Sequence, residues 1–161
     1  VFSTRKIKYS KEDYKNGFKL KLSSVLRNPT SMMTYLKALS YNENLYEYNK
    51  ANKEGFNEVV FLNIYGNIAE GATSNIFIIK DKKIYTPKIS DGILPGVVRN
   101  WVIKNFRVCE KHLDKEDLYS ADEVFITNSI LGIMKIVQFE ERSYSTSMVE
   151  RIRSEYEQFI I

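Results

Sequence analysis

The apolar positions along the chain fall into runs that predict the strands of a sheet. Residues 18–24 alternate apolar and polar side chains with a period of two, which indicates a half-buried strand. Residues 74–88 predict a hairpin, with Lys-Asp-Lys-Lys at 80–83 as its tight turn. Further strands are predicted at 58–63 and 121–130, which are apolar almost throughout, and at 132–139.

Helical spacing separates these strands. From about Leu39 to Lys53 the pattern predicts a helix on which Leu45, Tyr48 and Asn52 share a face, and Gly55 ends it.

Two later segments also predict helices. Residues 92–106 read as a glycine-bearing loop that opens a helix, and residues 145–161 as an amphipathic helix capped by Ser145 or Thr146. The apolar face of the first of these consists of Val98, Trp101, Val102 and Phe106. Strands and helices that alternate irregularly predict an α/β (α+β) fold, a mixed sheet packed with helices.

Length and composition favour one globular domain, residues 1–161. The chain has 161 residues, 43% of them hydrophobic, which is enough to build a core. No apolar run is long enough to cross a membrane and no signal peptide is visible. The single cysteine, Cys109, excludes an internal disulfide and predicts a cytoplasmic protein. We expect Cys109 to be a half-buried packing residue.

The net charge of +4 is unevenly distributed. Residues 1–30 carry eight basic and two acidic side chains, a net +6, so the remaining residues sum to −2. This basic arm is either a solvated edge or a phosphate-binding surface. The basic and aromatic residues are too scattered to predict a nucleic-acid platform. His112 is the only histidine, so the sequence predicts no metal site.

Small polar residues stand where predicted strands begin and end. Glu70 precedes Gly-Ala-Thr-Ser-Asn at 71–75, and a buried carboxylate there needs a cationic partner. Thr-Asn-Ser at 127–129 follows another strand, where ligands bind in α/β folds. The alternatives are an exposed edge glutamate and a polar turn.

The loop at residues 92–99 and Lys37 are the other candidates. Gly96 lies before a helix N-terminus, whose free N–H groups suit a phosphate, although a capped helix after Pro95 explains the same residues. Lys37 lies among apolar neighbours, where desolvation would lower its pKa and favour Schiff-base formation with an aldehyde. The alternative is a lysine whose stem is buried and whose head is solvated.

Taken in order, these motifs resemble the class IV aminotransferases, the fold-type IV pyridoxal 5'-phosphate enzymes. The resemblance extends over nearly the whole chain, and its combination of motifs is specific. The matching segments are LKALSYNEN at 36–44, NEVVFLN at 57–63, GNIAEGATSNIFII at 66–79, YTPKISDGILPGVVR at 85–99 and DLYSADEVFITNSILGI at 117–133.

The resemblance implies a role for each matching residue. Lys37 bonds to the cofactor and shuttles a proton, and Glu70 faces the pyridine nitrogen and keeps it protonated. Leu94 packs on the ring, Tyr41 reaches its phenolic oxygen, and the other residues surround the cofactor or its phosphate: Ser74, Asn75, Gly96, Val97, Val98, Asn128 and Ser129. Val98 stands where many members have threonine, and Lys135 where proline is usual.

Within the family, Asn-Ser-Ile-Leu-Gly at 128–132 is most similar to the branch that releases pyruvate from 4-amino-4-deoxychorismate to give 4-aminobenzoate for folate synthesis. The alternatives are a D-amino-acid or branched-chain transaminase, or an isolated domain without activity.

The family also has an N-terminal domain, and we expect this sequence to represent only the part that follows it. Val1 is not an initiating methionine, so we expect a fragment or processed product that represents the C-terminal cofactor domain. The chain alone should then bind cofactor weakly and turn over little substrate. The full-length protein is expected to be a homodimer that acts on a small molecule.

Overall fold

The computed structural model describes residues 9–160, which form a mixed sheet with helices packed against it. In this part of the chain the strands are Phe18–Leu22 (β1), Glu58–Leu62 (β2), Ile68–Gly71 (β3), Asn75–Lys80 (β4), Lys83–Pro87 (β5), Val108–Lys111 (β6), Glu123–Asn128 (β7), Gly132–Phe139 (β8) and Arg142–Ser143 (β9). The α-helices are Lys11–Asn16 (α1), Asn42–Lys53 (α2), Val97–Asn105 (α3), Lys115–Tyr119 (α4) and Ser147–Phe159 (α5), with short 3₁₀ turns at Met32–Tyr35 and Ile89–Asp91.

The strand order confirms the predicted fold class. It runs β3-β2-β1-β8-β7-β4-β5-β6, and β9 pairs with β8. β1 lies parallel to both β2 and β8, and β5 lies parallel to β6, whereas the remaining pairs are antiparallel. None of the described helices is long and apolar enough to cross a membrane.

The centre of the sheet is buried on both faces, as the continuous apolar runs predict. Alternate residues of β4 and β7 point to opposite sides. On the side covered by α3 and α5, Phe77 and Phe125 are directly paired and their rings stack with centroids 4.6 Å apart. On the other side, Ile76, Ile78 and Ile126 belong to the larger core cluster.

The β4–β5 hairpin and helix α3 also form as predicted. Asp81 and Lys82 make the two-residue turn with positive φ angles of 51° and 60°, the backbone that a tight hairpin requires. On α3, Val98 and Val102 are buried, and Trp101 and Phe106 pack against the same cluster.

The predicted face of α2 is correct only for Tyr48, which is half-buried and packs against an apolar cluster. The buried residues of α2 are Asn44, Glu47 and Ala51, while Leu45 and Asn52 are exposed. The apolar spacing misleads here because two of the three buried residues of this helix are polar and pack through hydrogen bonds. Asn44 donates to the Ala72 carbonyl, and Glu47 accepts from two serines at the end of β1.

Two smaller expectations also need correction. Cys109 is exposed because it lies on β6, the edge strand, so it is not a half-buried packing residue. Helix α5 does have Thr146 at its N-cap position, but the Thr146 side chain makes no capping bond. The buried Glu123 carboxylate accepts the N–H groups of Met148 and Val149 in its place.

Candidate active site

A buried carboxylate on β2 fixes the turn that presents Glu70. Glu58 accepts hydrogen bonds from the Ala72 N–H at 3.1 Å, the Ser74 hydroxyl at 3.0 Å and the Thr73 hydroxyl at 3.3 Å. Burial raises the pKa of Glu58. The Ser74 hydroxyl therefore supports this turn by donating to Glu58.

Glu70 is bonded through only one of its two carboxylate oxygens. Its Oε2 accepts from the Leu94 N–H at 2.9 Å and from the Asn75 side-chain amide at 3.4 Å. Asn75 also donates to the Leu94 carbonyl at 2.7 Å. Oε1 lies 3.7 Å from Nη2 of Arg27 and accepts no hydrogen bond from any residue between 9 and 160. The structure thus brings Glu70, Asn75 and Leu94 together and leaves one acceptor oxygen available.

Burial dominates the electrostatics of Glu70. Loss of solvent raises the pKa of this carboxyl from 4.5 to about 7. The Leu94 N–H and the Arg27 guanidinium lower it, Glu58 raises it, and the Lys37 ammonium lowers it slightly. A further cation or N–H donor at the open oxygen would favour the ionised form.

An open cavity of about 590 Å³ lies beside this carboxylate. Its walls include Glu70, Leu94, Arg27 and Tyr41, with additional residues from the segment 26–44. Tyr41 is at the N-cap position of α2, and the α2 hydrogen bond from Asn44 to Ala72 ties that helix to the Glu70 turn.

Lys37 lies in the irregular segment between the first 3₁₀ turn and α2, and its neighbours Leu36 and Ala38 line the cavity. Its side chain is exposed, so the desolvated lysine expected from its apolar neighbours is not found. Those neighbours are themselves half-buried or exposed. The Lys37 ammonium nevertheless acts on Glu70, since it is one of the groups that oppose the rise in the pKa of Glu70 caused by burial.

The predicted phosphate-binding residues lie near Asn75, at the start of α3 and at the end of β7. Gly96 is the N-cap residue of α3, and a Cβ at this position would overlap Oδ1 of Asn75. Val97 and Val98 form the first turn of α3, where backbone N–H groups have no partner within the helix. Val97 is exposed and the Val98 side chain is buried in the core.

The end of β7 also lies next to Asn75, because β7 pairs with β4. Thr127 pairs with Asn75, and the Asn128 amide donates to the Thr73 carbonyl at 3.1 Å. Asn128 Oδ1 accepts from two N–H groups in the following turn, and Ser129 is exposed. None of Gly96, Val97, Val98, Asn128 and Ser129 lines the cavity beside Glu70. Their role in phosphate binding stays a prediction.

Arg27 and Glu58 are the two site residues that the sequence does not reveal. Arg27 follows the first strand, in a segment whose proline ends the strand pattern. The residues around its side chain come from β2 and β3, far along the chain. Its guanidinium lies over the Phe61 ring at 4.4 Å. Glu58 starts an apolar strand, and only the fold places it under the Ala72–Ser74 turn.

The sequence and the fold together define the protein class. The model of the amino-transferase class IV family matches residues 1–139. The chain belongs to the class IV aminotransferase family, whose cofactor is pyridoxal 5'-phosphate.

Individual relatives carry two different activities. Over 135 residues the chain is 35% identical to the aminodeoxychorismate lyase of Bacillus subtilis, a match that covers 81% of this chain and 46% of the lyase. It is 32% identical to the branched-chain-amino-acid aminotransferase of Pseudomonas aeruginosa over 138 residues, covering 81% and 45% of the two chains. The chain therefore spans about half the length of the curated relatives it matches.

A solved structure gives the same result for the fold. An aminotransferase from Brucella abortus, bound to the cofactor pyridoxal 5'-phosphate, superposes with a TM-score of 0.82 at 30% identity. The match covers 89% of this chain and 54% of that one.

Proposed function

We propose that this chain is the cofactor-binding domain of a pyridoxal 5'-phosphate enzyme. The observation that carries the proposal is Oε1 of Glu70, an unbonded acceptor on a buried carboxylate in the wall of a cavity that segment 26–44 also lines. A protonated ring nitrogen is a donor that suits this oxygen. The same cavity is bordered by the neighbours of Lys37, whose amine suits the aldehyde.

The remaining assignments rest on the family resemblance. Leu94, held by its two bonds to Glu70 and Asn75, packs against a face of the ring, and Tyr41 reaches its phenolic oxygen. The N–H groups of Val97 and Val98 bind the phosphate at the start of α3, where Gly96 lets the backbone approach closely, and Asn128 and Ser129 complete the phosphate site. Gly96 lacks a Cβ that would displace Asn75, so this close approach of α3 depends on glycine.

When bound, the cofactor supplies an electron sink for a carbanion next to the substrate nitrogen. Glu70 holds the proton on the ring nitrogen, which it can do as a carboxylate but not in its neutral form. Lys37 removes a proton from the substrate carbon that bears the amine. Its exposure leaves the amine free to move between the cofactor and that carbon.

For the whole protein we infer a lyase reaction on 4-amino-4-deoxychorismate. Loss of a proton from the amine-bearing ring carbon and of the enolpyruvyl group as pyruvate gives 4-aminobenzoate, with no external oxidant or reductant. Aromatisation drives the reaction. The support is the segment Asn-Ser-Ile-Leu-Gly at 128–132 and the similarity to the Bacillus subtilis lyase.

The second candidate is a branched-chain transaminase. It is favoured by the similarity to the Pseudomonas aeruginosa enzyme, which covers the same share of this chain as the lyase does. A D-amino-acid transaminase and a domain without activity are the other outcomes. The domain assignment, a homodimer and a cytoplasmic location are further proposals for the whole protein.

One experiment separates these functions. The complete protein is incubated with pyridoxal 5'-phosphate and either 4-amino-4-deoxychorismate or a set of amino and keto acids, and products are identified by mass spectrometry. Formation of 4-aminobenzoate and pyruvate in equal amounts supports the lyase. Exchange of amino groups between amino and keto acids, without 4-aminobenzoate, would overturn it in favour of a transaminase. Lys37→Ala is the control and should abolish either reaction.

A further inference from the structure

Arg27 is a largely buried cation with few hydrogen-bond acceptors around it. Only 16% of its side chain is exposed, and Nε and Nη2 are buried without a hydrogen-bond partner in the described chain. Burying a charge in this way costs free energy unless another charge offsets it. The carboxylate of Glu70, 3.7 Å from Nη2, is the group that can do so.

The backbone holds Arg27 in this position. Its N–H donates to the Leu62 carbonyl at 2.8 Å and its carbonyl accepts from the Ile64 N–H at 2.9 Å, which ties it to the end of β2. The guanidinium stacks over Phe61 of the same strand. Glu70 lies on β3, which pairs with β2. The pairing of the two strands therefore places the Arg27 charge next to Glu70.

We propose that Arg27 is a positioning residue that favours the ionised form of Glu70, the form in which Glu70 can hold the proton on the cofactor's ring nitrogen. Its significance for catalysis rests on the proposed function, whereas the interaction between the two side chains does not. Arg27 acts through Glu70, and its ion pair with Oε1 leaves room for a second donor because the distance exceeds that of a hydrogen bond.

Three charged groups besides burial act on Glu70. Arg27 and Lys37 favour the carboxylate, and Glu58, on the neighbouring strand, opposes it. Lys37 has the weakest effect, and its side chain is exposed. Arg27 is therefore the principal cation that offsets burial and the repulsion from Glu58.

The test is a carboxyl ¹³C NMR titration of Glu70 in the chain without cofactor, assigned by loss of the signal in Glu70→Gln. Removing the cation in Arg27→Met should raise the titration midpoint by roughly 1 pH unit or more. The conservative variant Arg27→Lys should keep the midpoint close to that of the wild type. An unchanged midpoint in Arg27→Met, or an equal rise in both variants, would overturn the proposal.

A measurement on the unmutated chain covers the case in which Arg27→Met does not fold. The Arg27 guanidinium resonances should shift with the same midpoint as the Glu70 carboxyl, and guanidinium signals that ignore this titration would refute the pairing. Borohydride trapping of pyridoxal 5'-phosphate on the complete protein separates the two proposals. Failure to trap it contradicts the proposed function, while the titration result stands on its own.

Discussion

Replacing Glu70 by glutamine should remove a loss of stability that the cofactor-free chain undergoes as the pH rises to neutral. Glutamine has nearly the same shape, and its side-chain oxygen can still accept the Leu94 N–H that Glu70 Oε2 accepts now. What the substitution removes is the buried negative charge. The effect on stability must therefore depend on pH in the way that the ionisation of Glu70 does.

The magnitude follows from the pKa of Glu70. Burial raises it from 4.5 to about 7, so the folded chain binds a proton more tightly than the unfolded chain does. Stability from this group is fully present below pH 4.5 and is lost as the pH rises through 7. Each pKa unit corresponds to about 1.4 kcal/mol, so the loss amounts to about 3 kcal/mol. The Glu70→Gln variant does not suffer this loss.

The assay is urea unfolding of the cofactor-free wild type and variant at several pH values from 4 to 9, an interval that brackets both pKa values. The free energy of unfolding of Glu70→Gln relative to the wild type should rise by about 3 kcal/mol between pH 4.5 and 7, then level off. Glu141→Gln, which removes an exposed carboxyl from the β8–β9 turn, is the matched control. A difference that stays flat with pH, or falls as pH rises, would refute the reasoning about Glu70.

Two further substitutions test how the site is built. Gly96→Ala places a Cβ against Asn75 Oδ1 and should cost about 1–3 kcal/mol of stability, with weaker cofactor binding, in chemical unfolding and absorbance titrations. Wild-type values for both would show that α3 has more room than the structure gives it. Glu58→Ala leaves the Ala72 N–H and the Ser74 hydroxyl without their buried acceptor and should cost about 2–5 kcal/mol. Glu58→Gln, which retains an acceptor, should lose less, and equal losses would count against the role of these bonds.

The sequence predicts the central strands well because their burial produces continuous apolar runs in the sequence. β4 and β7 are apolar over nearly their whole length, and they become the centre of the sheet with both faces covered. The Asp81-Lys82 turn is equally local, since two residues between strands restrict the backbone to a few shapes. The strand at 132–139 was predicted with the bounds that the structure gives.

Helix α2 and the short elements could not be read in the same way. The buried side of α2 is partly polar. Asn44 and Glu47 are buried because hydrogen-bond partners after β1 and in the 71–75 turn satisfy their side chains. No local pattern encodes such partners. β6 and α4 are short, and β6 is an edge strand with exposed side chains, so its apolar signal is weak.

The sequence likewise indicated some residues of the candidate site and not others. The family resemblance points to Glu70, Asn75 and Leu94, and hydrogen bonds join these three residues in the structure, while their contacts with the cofactor stay predictions. Arg27 was not predicted because an arginine after a strand is usually solvated, and its burial depends on Phe61 more than thirty positions away.

The central claim is that Lys37 and Glu70 bind the same cofactor, and reductive trapping tests it most directly. The complete protein is loaded with pyridoxal 5'-phosphate at pH 8, treated with borohydride, digested and mapped by mass spectrometry. We expect the reduced adduct on Lys37, no adduct there in Lys37→Ala, and a lower yield in Glu70→Gln because the ring nitrogen loses its carboxylate partner. Adduct distributed over surface lysines with Lys37 unmodified, or a yield that does not change in Glu70→Gln, would contradict the account.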